Sequence, residues 1–234
     1  MSPNPIQENL RAIQDRIEKA ARRAGRNTRE ITLIGISKTH PAEAICRAYE
    51  AGVRHFGENR VQEWGAKRAA VADLGATIHL VGHLQSNKAI RAAQFFDCVD
   101  SVDDADLAQR LDRARQENSE KKLRILIEVR LAPEESKNGV DPGEVPRLAE
   151  DVVQKSNLEL AGLMCIPPYL ESAEEVRPYF RRLRGLHRDL EARLGRKLPV
   201  LSMGMSHDFE VAIEEGATEV RIGTALFGVR QVKG

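Results

Sequence analysis

Ile31-Thr32-Leu33-Ile34-Gly35-Ile36-Ser37-Lys38 sets the pattern of this chain: an apolar, β-branched run that reads as a buried strand, ended by a serine and a lysine. Seven further runs of this kind follow, at Val53 to Phe56, Thr77 to Val81, Cys98 to Val102, Arg124 to Val129, Leu158 to Met164, Pro199 to Ser202 and Thr218 to Ile222. Amphipathic stretches separate them. Pro41 stands at a first helical position and Gly52 just past a last turn, while Gly75 and Gly216 close two more helices. Asp141-Pro142-Gly143-Glu144 has the form of a capping box with proline in the first turn, and Leu107, Leu111 and Ala114 recur at helical spacing after Asp103 and Asp104. Eight strand-helix units in 234 residues predict an α/β protein with a closed (β/α)8 TIM barrel rather than an open doubly wound sheet. Leu10, Ile13, Ile17 and Ala20 share one helical face ahead of the first strand. A single domain is therefore expected, with a helical segment over 1–30 and the barrel over 31–234. A faint repeat agrees: Glu50 to Gly57 and Glu215 to Gly223 share the order helix, glycine, strand, glycine.

With 36 basic against 35 acidic residues, no global field recruits nucleic acid or an anionic membrane. Arg177, Arg181, Arg182, Arg184 and Arg188 cluster, but they alternate with Glu174, Glu175, Asp189 and Glu191 and read as a solvated helix face. Met1 to Gly25 has charges every few residues and no apolar leader, so a cytoplasmic protein is expected. Cys46, Cys98 and Cys165 are far apart and in no metal or redox spacing, and read as small core residues. His79 and His83 are four apart, but the run around His79 reads as a strand, which argues against a metal pair and for no metal. Trp64 and the mixed charge of the outer helices show no large apolar stripe that would demand a dimer.

The chemistry lies at the two ends. An amine at the rim of a packed core is partly desolvated, which favours its free base and suits it to attack an aldehyde. Lys38 is such an amine. Near the other terminus, Glu219 to Gly228 reads as a strand, a glycine turn and a first helical turn, where Gly223, Thr224 and their amides can meet a phosphate. A ligand with both an aldehyde and a phosphate joins the two, and pyridoxal 5'-phosphate is the commonest cofactor of that description. The same ends would also serve a lysine aldolase acting on a sugar phosphate. Barrel active sites lie where strands meet their following helices, with phosphate often at the last two loops. Lys38, Asn59, Ser206 and Thr224 all stand at such junctions.

Several motifs together resemble the pyridoxal phosphate homeostasis proteins, which look like the N-terminal barrel of alanine racemase without its second domain. They are Ser37-Lys38-Thr39, Phe56-Gly57-Glu58-Asn59 with Val61-Gln62-Glu63, Gly82 to Lys88, Ser136-Lys137-Asn138-Gly139, Gly162-Leu163-Met164, Met203-Gly204-Met205-Ser206 and Arg221-Ile222-Gly223-Thr224. The resemblance implies that Lys38 carries the cofactor as a Schiff base, that Ser206, Gly223 and Thr224 surround its phosphate, and that Arg221 lies near its pyridine nitrogen. Asn59 is a pocket residue or a helix N-cap. Ser206 precedes a helix whose first turn holds Asp208 and Glu210, charges that would repel a phosphate. Lys88 reads as a capping or solvated residue at a helix start, and Lys137 as part of a polar surface loop.

Three arguments favour a carrier over a catalyst. Racemisation needs acid-base groups on both faces of the α-carbon; in the resembling racemase one is a tyrosine from another domain, and only ten residues follow Thr224. Tyr169, Cys165 and His207 are local substitutes, none in a recognisable base arrangement. An always-charged arginine at the pyridine nitrogen keeps it unprotonated and weakens the electron sink. Finally, the resemblance implies vitamin B6 and amino-acid homeostasis, with a monomer that holds the cofactor and passes it to pyridoxal phosphate-dependent apo-enzymes. A pyridoxal phosphate-dependent amino-acid racemase is the alternative.

Overall fold

The computed structural model describes residues 4–117, 121–131 and 138–228. Eight parallel strands, β1 (Thr32–Ile36), β2 (His55–Glu58), β3 (Thr77–Leu80), β4 (Cys98–Val102), β5 (Leu123–Glu128), β6 (Leu158–Met164), β7 (Val200–Met205) and β8 (Glu219–Ile222), pair in sequence order. β8 then pairs with β1, Ile34 opposite Arg221, and closes the barrel. Each of the eight runs forms a strand, and the bounds move by more than one residue in two of them. Val53 and Arg54 stay outside β2, since Val53 N–H is taken by the helical carbonyl of Ala48 at 3.0 Å. β7 runs on to Met205 because Gly204, at φ +93°, absorbs a register shift against β8.

The helices are α1 (Pro5–Arg23), α2 (Ala42–Ala51), α3 (Val61–Lys67), α4 (Ala89–Phe95), α5 (Ala105–Gln116), α6 (Val145–Val153), α7 (Ala173–Leu194), α8 (Phe209–Glu214) and α9 (Thr224–Phe227). α1 is the extra N-terminal helix. Ile6, Leu10, Ile13, Ile17, Ala20 and Ala21 form its buried face, and Arg16 grips Glu210 of α8 through two hydrogen bonds of 2.9 and 2.8 Å. The repeat seen in the sequence has a physical basis. Gly52 and Gly216 both turn their helices off with positive φ, and the next amide bonds five residues back, Val53 to Ala48 and Ala217 to Ala212.

Three local expectations are corrected. Pro41 is the N-cap of α2 rather than its first residue. Asp141 makes no capping box: its Oδ1 accepts the Gly143 amide at 2.9 Å, a tight turn, and α6 starts only at Val145. The arginines of α7 are not simply solvated. Arg177 donates to Glu174, Glu214 and Glu215, and Arg181 and Arg184 also reach Glu215, pinning α7 onto α8.

Alternation along the strands splits the core. Ile125, Ile127, Leu160 and Leu163 face the helices, while Leu126, Ala161, Met164 and Val200 form a separate buried cluster. Polar groups occupy the strands near their starts. His79 lies between His55 (Nδ1 to Nε2, 3.0 Å) and Asp100 (2.9 Å), and Arg124 pairs with Glu219 at 2.9 Å. His79, Cys98 and Asp100 bring their ligating atoms within 4.8 Å, but His79 already spends both ring nitrogens on hydrogen bonds. Burial and His79 push His55 down to about 4. Cys98 and Cys165 are buried free thiols and Cys46 is half-buried. Among the described residues, no helix is long and apolar enough to cross a membrane.

Candidate active site

The six residues singled out from sequence converge on one end of the barrel, at four strands contiguous around its closure. Lys38 follows β1, Asn59 follows β2, Ser206 follows β7, Arg221 lies in β8, Gly223 follows it and Thr224 opens α9. Lys38, Asn59, Ser206 and Gly223 are half-buried, Arg221 is buried and Thr224 is exposed. The amine-bearing turn and the glycine turn adjoin. A Cβ built on Gly223 would lie 3.5 Å from Ile36 Cβ, and the His40 ring stacks on Phe227 of α9 with centroids 4.9 Å apart.

Ile36, the last residue of β1, points inside the barrel and Ser37 outside, and Lys38 follows as the first residue of the turn. Ile36 fills the space left by Gly57, whose Cβ would meet Ile36 Cδ1 at 2.5 Å. Beneath the turn, Ser37 Oγ donates to Glu58 Oε1 at 2.5 Å and Lys67 Nζ reaches the same oxygen at 2.7 Å. Lys67 also donates to the carbonyls of Ser37 and His40, each at 3.1 Å. Thr39 sits at φ +67° and gives its amide to Glu63 Oε1.

Arg221 is fixed by two of its five N–H donors, 2.8 Å to Ser202 Oγ and 2.7 Å to the Cys165 carbonyl. Of the two carboxylates, Glu210 is drawn away by Arg16, while Asp208 stays in the β7–α8 loop, buried and accepting the Met205 amide at 2.6 Å. Leu226 and Phe227 both donate to the Gly223 carbonyl at 2.9 Å, which leaves the first amides of the turn directed outward by helix geometry. An amine, a fixed guanidinium, two hydroxyls and a glycine turn are the donor set that an aldehyde-bearing pyridine phosphate requires.

Asn59 is not the N-cap of α3; Arg60 holds that position. Of the segment from Gly82 to Lys88, Gly82 is explained by Asn59. A Cβ at Gly82 would sit 2.5 Å from the Asn59 carbonyl oxygen, so only glycine lets the two turns touch. Lys88 ends a short 3-10 turn, Ser86–Lys88, and makes no side-chain cap for α4. Ser136 and Lys137 lie outside the described residues.

Sequence reasoning missed two features. The Glu58–Lys67 pair joins positions with no periodic relation, although Glu63 and Lys67 at four-residue spacing were a usable hint. The second is Glu128, the last residue of β5. Burial, then Asp103, push its carboxyl up to about 7 against the pull of Arg221. Asp103 accepts the Gly139 amide at 3.3 Å and approaches His83 at 3.6 Å, while the Glu128 carbonyl accepts the Val140 amide at 2.8 Å. One short segment thus ties both acids together.

Residues 9–231 match the family described as Alanine racemase, N-terminal domain. A pyridoxal phosphate homeostasis protein of Aquifex aeolicus is 46% identical over 224 residues, which cover 96% of this chain and 98% of that protein. Another from Pseudomonas aeruginosa is 47% identical over 225 residues, covering 96% of each. A solved structure of PipY from Synechococcus elongatus PCC7942, with PLP bound, is 40% identical and superposes with a TM-score of 0.84 over 95% of this chain and 100% of that one. Relatives this similar across nearly their whole length leave one assignment: the chain belongs to the pyridoxal phosphate homeostasis protein family.

Proposed function

We propose that this chain binds pyridoxal 5'-phosphate covalently through Lys38 and serves intracellular vitamin B6 and amino-acid homeostasis, handing the cofactor on to apo-enzymes. The observation that supports this is the packing of the end of β1 and its turn, through Ile36 and His40, against Gly223 and Phe227, so that the amine-bearing turn adjoins the glycine turn at the barrel rim. When bound, the cofactor would supply an aldehyde able to condense reversibly with an amine, and Lys38 is the amine this chain would offer. The chain's own groups do the rest. Ser206, Gly223 and Thr224 hold the phosphate, Arg221 faces the pyridine nitrogen with donors only, and Asn59 lines the pocket beside Lys38. A single-domain monomer in the cytoplasm fits this role. The protein as purified is expected to be yellow and to lose its visible band on borohydride reduction. Lys38→Ala is expected to reduce borohydride-fixed cofactor at least about tenfold; retention of the full wild-type amount would refute the assignment.

One observation favours the racemase as a second reading. Glu128 is a buried carboxyl held at about 7, in the range that suits a general acid or base at neutral pH. Proton exchange separates the readings. A carrier leaves the α-hydrogen of added amino acids in place in deuterated water, whereas a racemase exchanges it rapidly and loses that activity in Glu128→Gln.

A further inference from the structure

We propose that Lys67 and Glu63 of α3 are positioning residues for Lys38, forming a clamp that holds the Ser37–His40 turn in a strained conformation and so fixes the direction of the Lys38 amine. The inference rests on the reading of Lys38 as the imine-forming residue. Thr39 is the one non-glycine residue at positive φ among the described residues, and a β-branched side chain there is a real outlier. Such a conformation persists only where the surroundings over-determine it. They do so here. Glu63 Oε1 accepts the Thr39 amide, and Lys67 Nζ donates to the carbonyls on either side of Lys38 and Thr39, those of Ser37 and His40 at 3.1 Å. Lys67 meets Glu63 as well, also at 3.1 Å, so the two clamp residues brace each other.

The anchor of the clamp is Glu58. Its side chain is fully buried, its Oε1 accepts from Ser37 Oγ and Lys67, and its Oε2 is buried with no hydrogen-bond partner. A buried ion pair contributes little net stability, and one with an unsatisfied oxygen is a poor choice where packing alone is at stake. What the pair does provide is direction. It fixes the ammonium of Lys67 at the one point from which it reaches both carbonyls of the turn. The same turn carries the His40 ring, which stacks on Phe227 of α9.

The strain makes the proposal testable by rescue. Glycine adopts positive φ without a penalty, so Thr39→Gly removes the need for the clamp while leaving the turn where it is. In cofactor-free protein, Lys67→Met and Glu63→Ala are each expected to speed hydrogen exchange at the amides of residues 37–40 by about tenfold, the scale of one lost hydrogen bond. In protein loaded with pyridoxal phosphate, both variants are expected to lower the rate of borohydride fixation at Lys38 by a similar factor and to shift the pH profile of the visible band. Adding Thr39→Gly to either variant is expected to restore fixation. Glu63→Ala leaves no buried charge without a partner, so it reports even if Lys67→Met does not fold. Wild-type exchange and fixation in Glu63→Ala, or failure of Thr39→Gly to restore any fixation, overturns the clamp. Absence of fixation at Lys38 in the wild type would instead overturn the cofactor reading, and the exchange data would still decide the clamp.

Discussion

Gly162→Ala is expected to cost roughly 4 kcal/mol or more, lowering the melting temperature by about 10 °C or leaving little soluble protein. Gly162 of β6 faces Val200 of β7 in register, and a Cβ there would lie 1.7 Å from the Val200 carbonyl oxygen and 2.6 Å from its carbonyl carbon. Both are backbone atoms, so no rotamer change relieves the overlap. In an open sheet the edge could swing away. Here β6 is held on its other side by β5, with Leu126 opposite Gly162, and the closed ring transmits any displacement around the barrel. Such a loss is at least about a quarter of a domain stability of roughly 5–15 kcal/mol. Thermal unfolding of the purified variant is the check; a melting temperature within about 2 °C of the parent would show that the strands separate more easily than this geometry allows.

The second large effect concerns pH. Glu128 titrates at about 7 in the folded chain against an ordinary 4.5, chiefly through burial, so between those values the folded state keeps a proton that the unfolded chain has released. Stability therefore falls as pH rises from about 4.5 to about 7 and is flat above, by an amount of roughly 3 kcal/mol at most. Glu128→Gln removes the titration without changing the shape. In cofactor-free protein the variant is expected to match the parent near pH 4.5 and to melt roughly 5–10 °C higher at pH 8. Melting curves across that range decide it. A difference that does not depend on pH would mean that the Glu128 carboxyl titrates alike in the folded and unfolded chain.

How much of this was legible in the chain depends on the range of the interaction. The eight strands and α1 were readable because burial imposes a period on neighbouring residues, and the Gly52 and Gly216 turns because positive φ selects glycine locally. Asp141 misled for a local reason: its side chain capped the Gly143 amide first, so the same motif made a turn instead of a helix start. The rim residues were legible because chemistry-bearing groups stood at strand ends, and the topology carried Lys38 and Gly223 to adjacent turns across the closure. Glu58 and Lys67 were not legible. A glutamate after a strand and a lysine on a helix are ordinary surface residues by type, and only the approach of α3 to the β1 turn makes them a buried pair. The same holds for Ser202, whose hydroxyl fixes Arg221 from the neighbouring strand.

The proposed function assigns capture of the cofactor to a single side chain, Lys38. Peptide mass spectrometry of protein loaded with pyridoxal phosphate and reduced with borohydride tests it most directly. One dominant pyridoxyl-modified peptide is expected, with fragment ions that put the modification on Lys38. A modification mapped to Lys88, Lys137 or dispersed surface lysines, with Lys38 recovered unmodified, would contradict it.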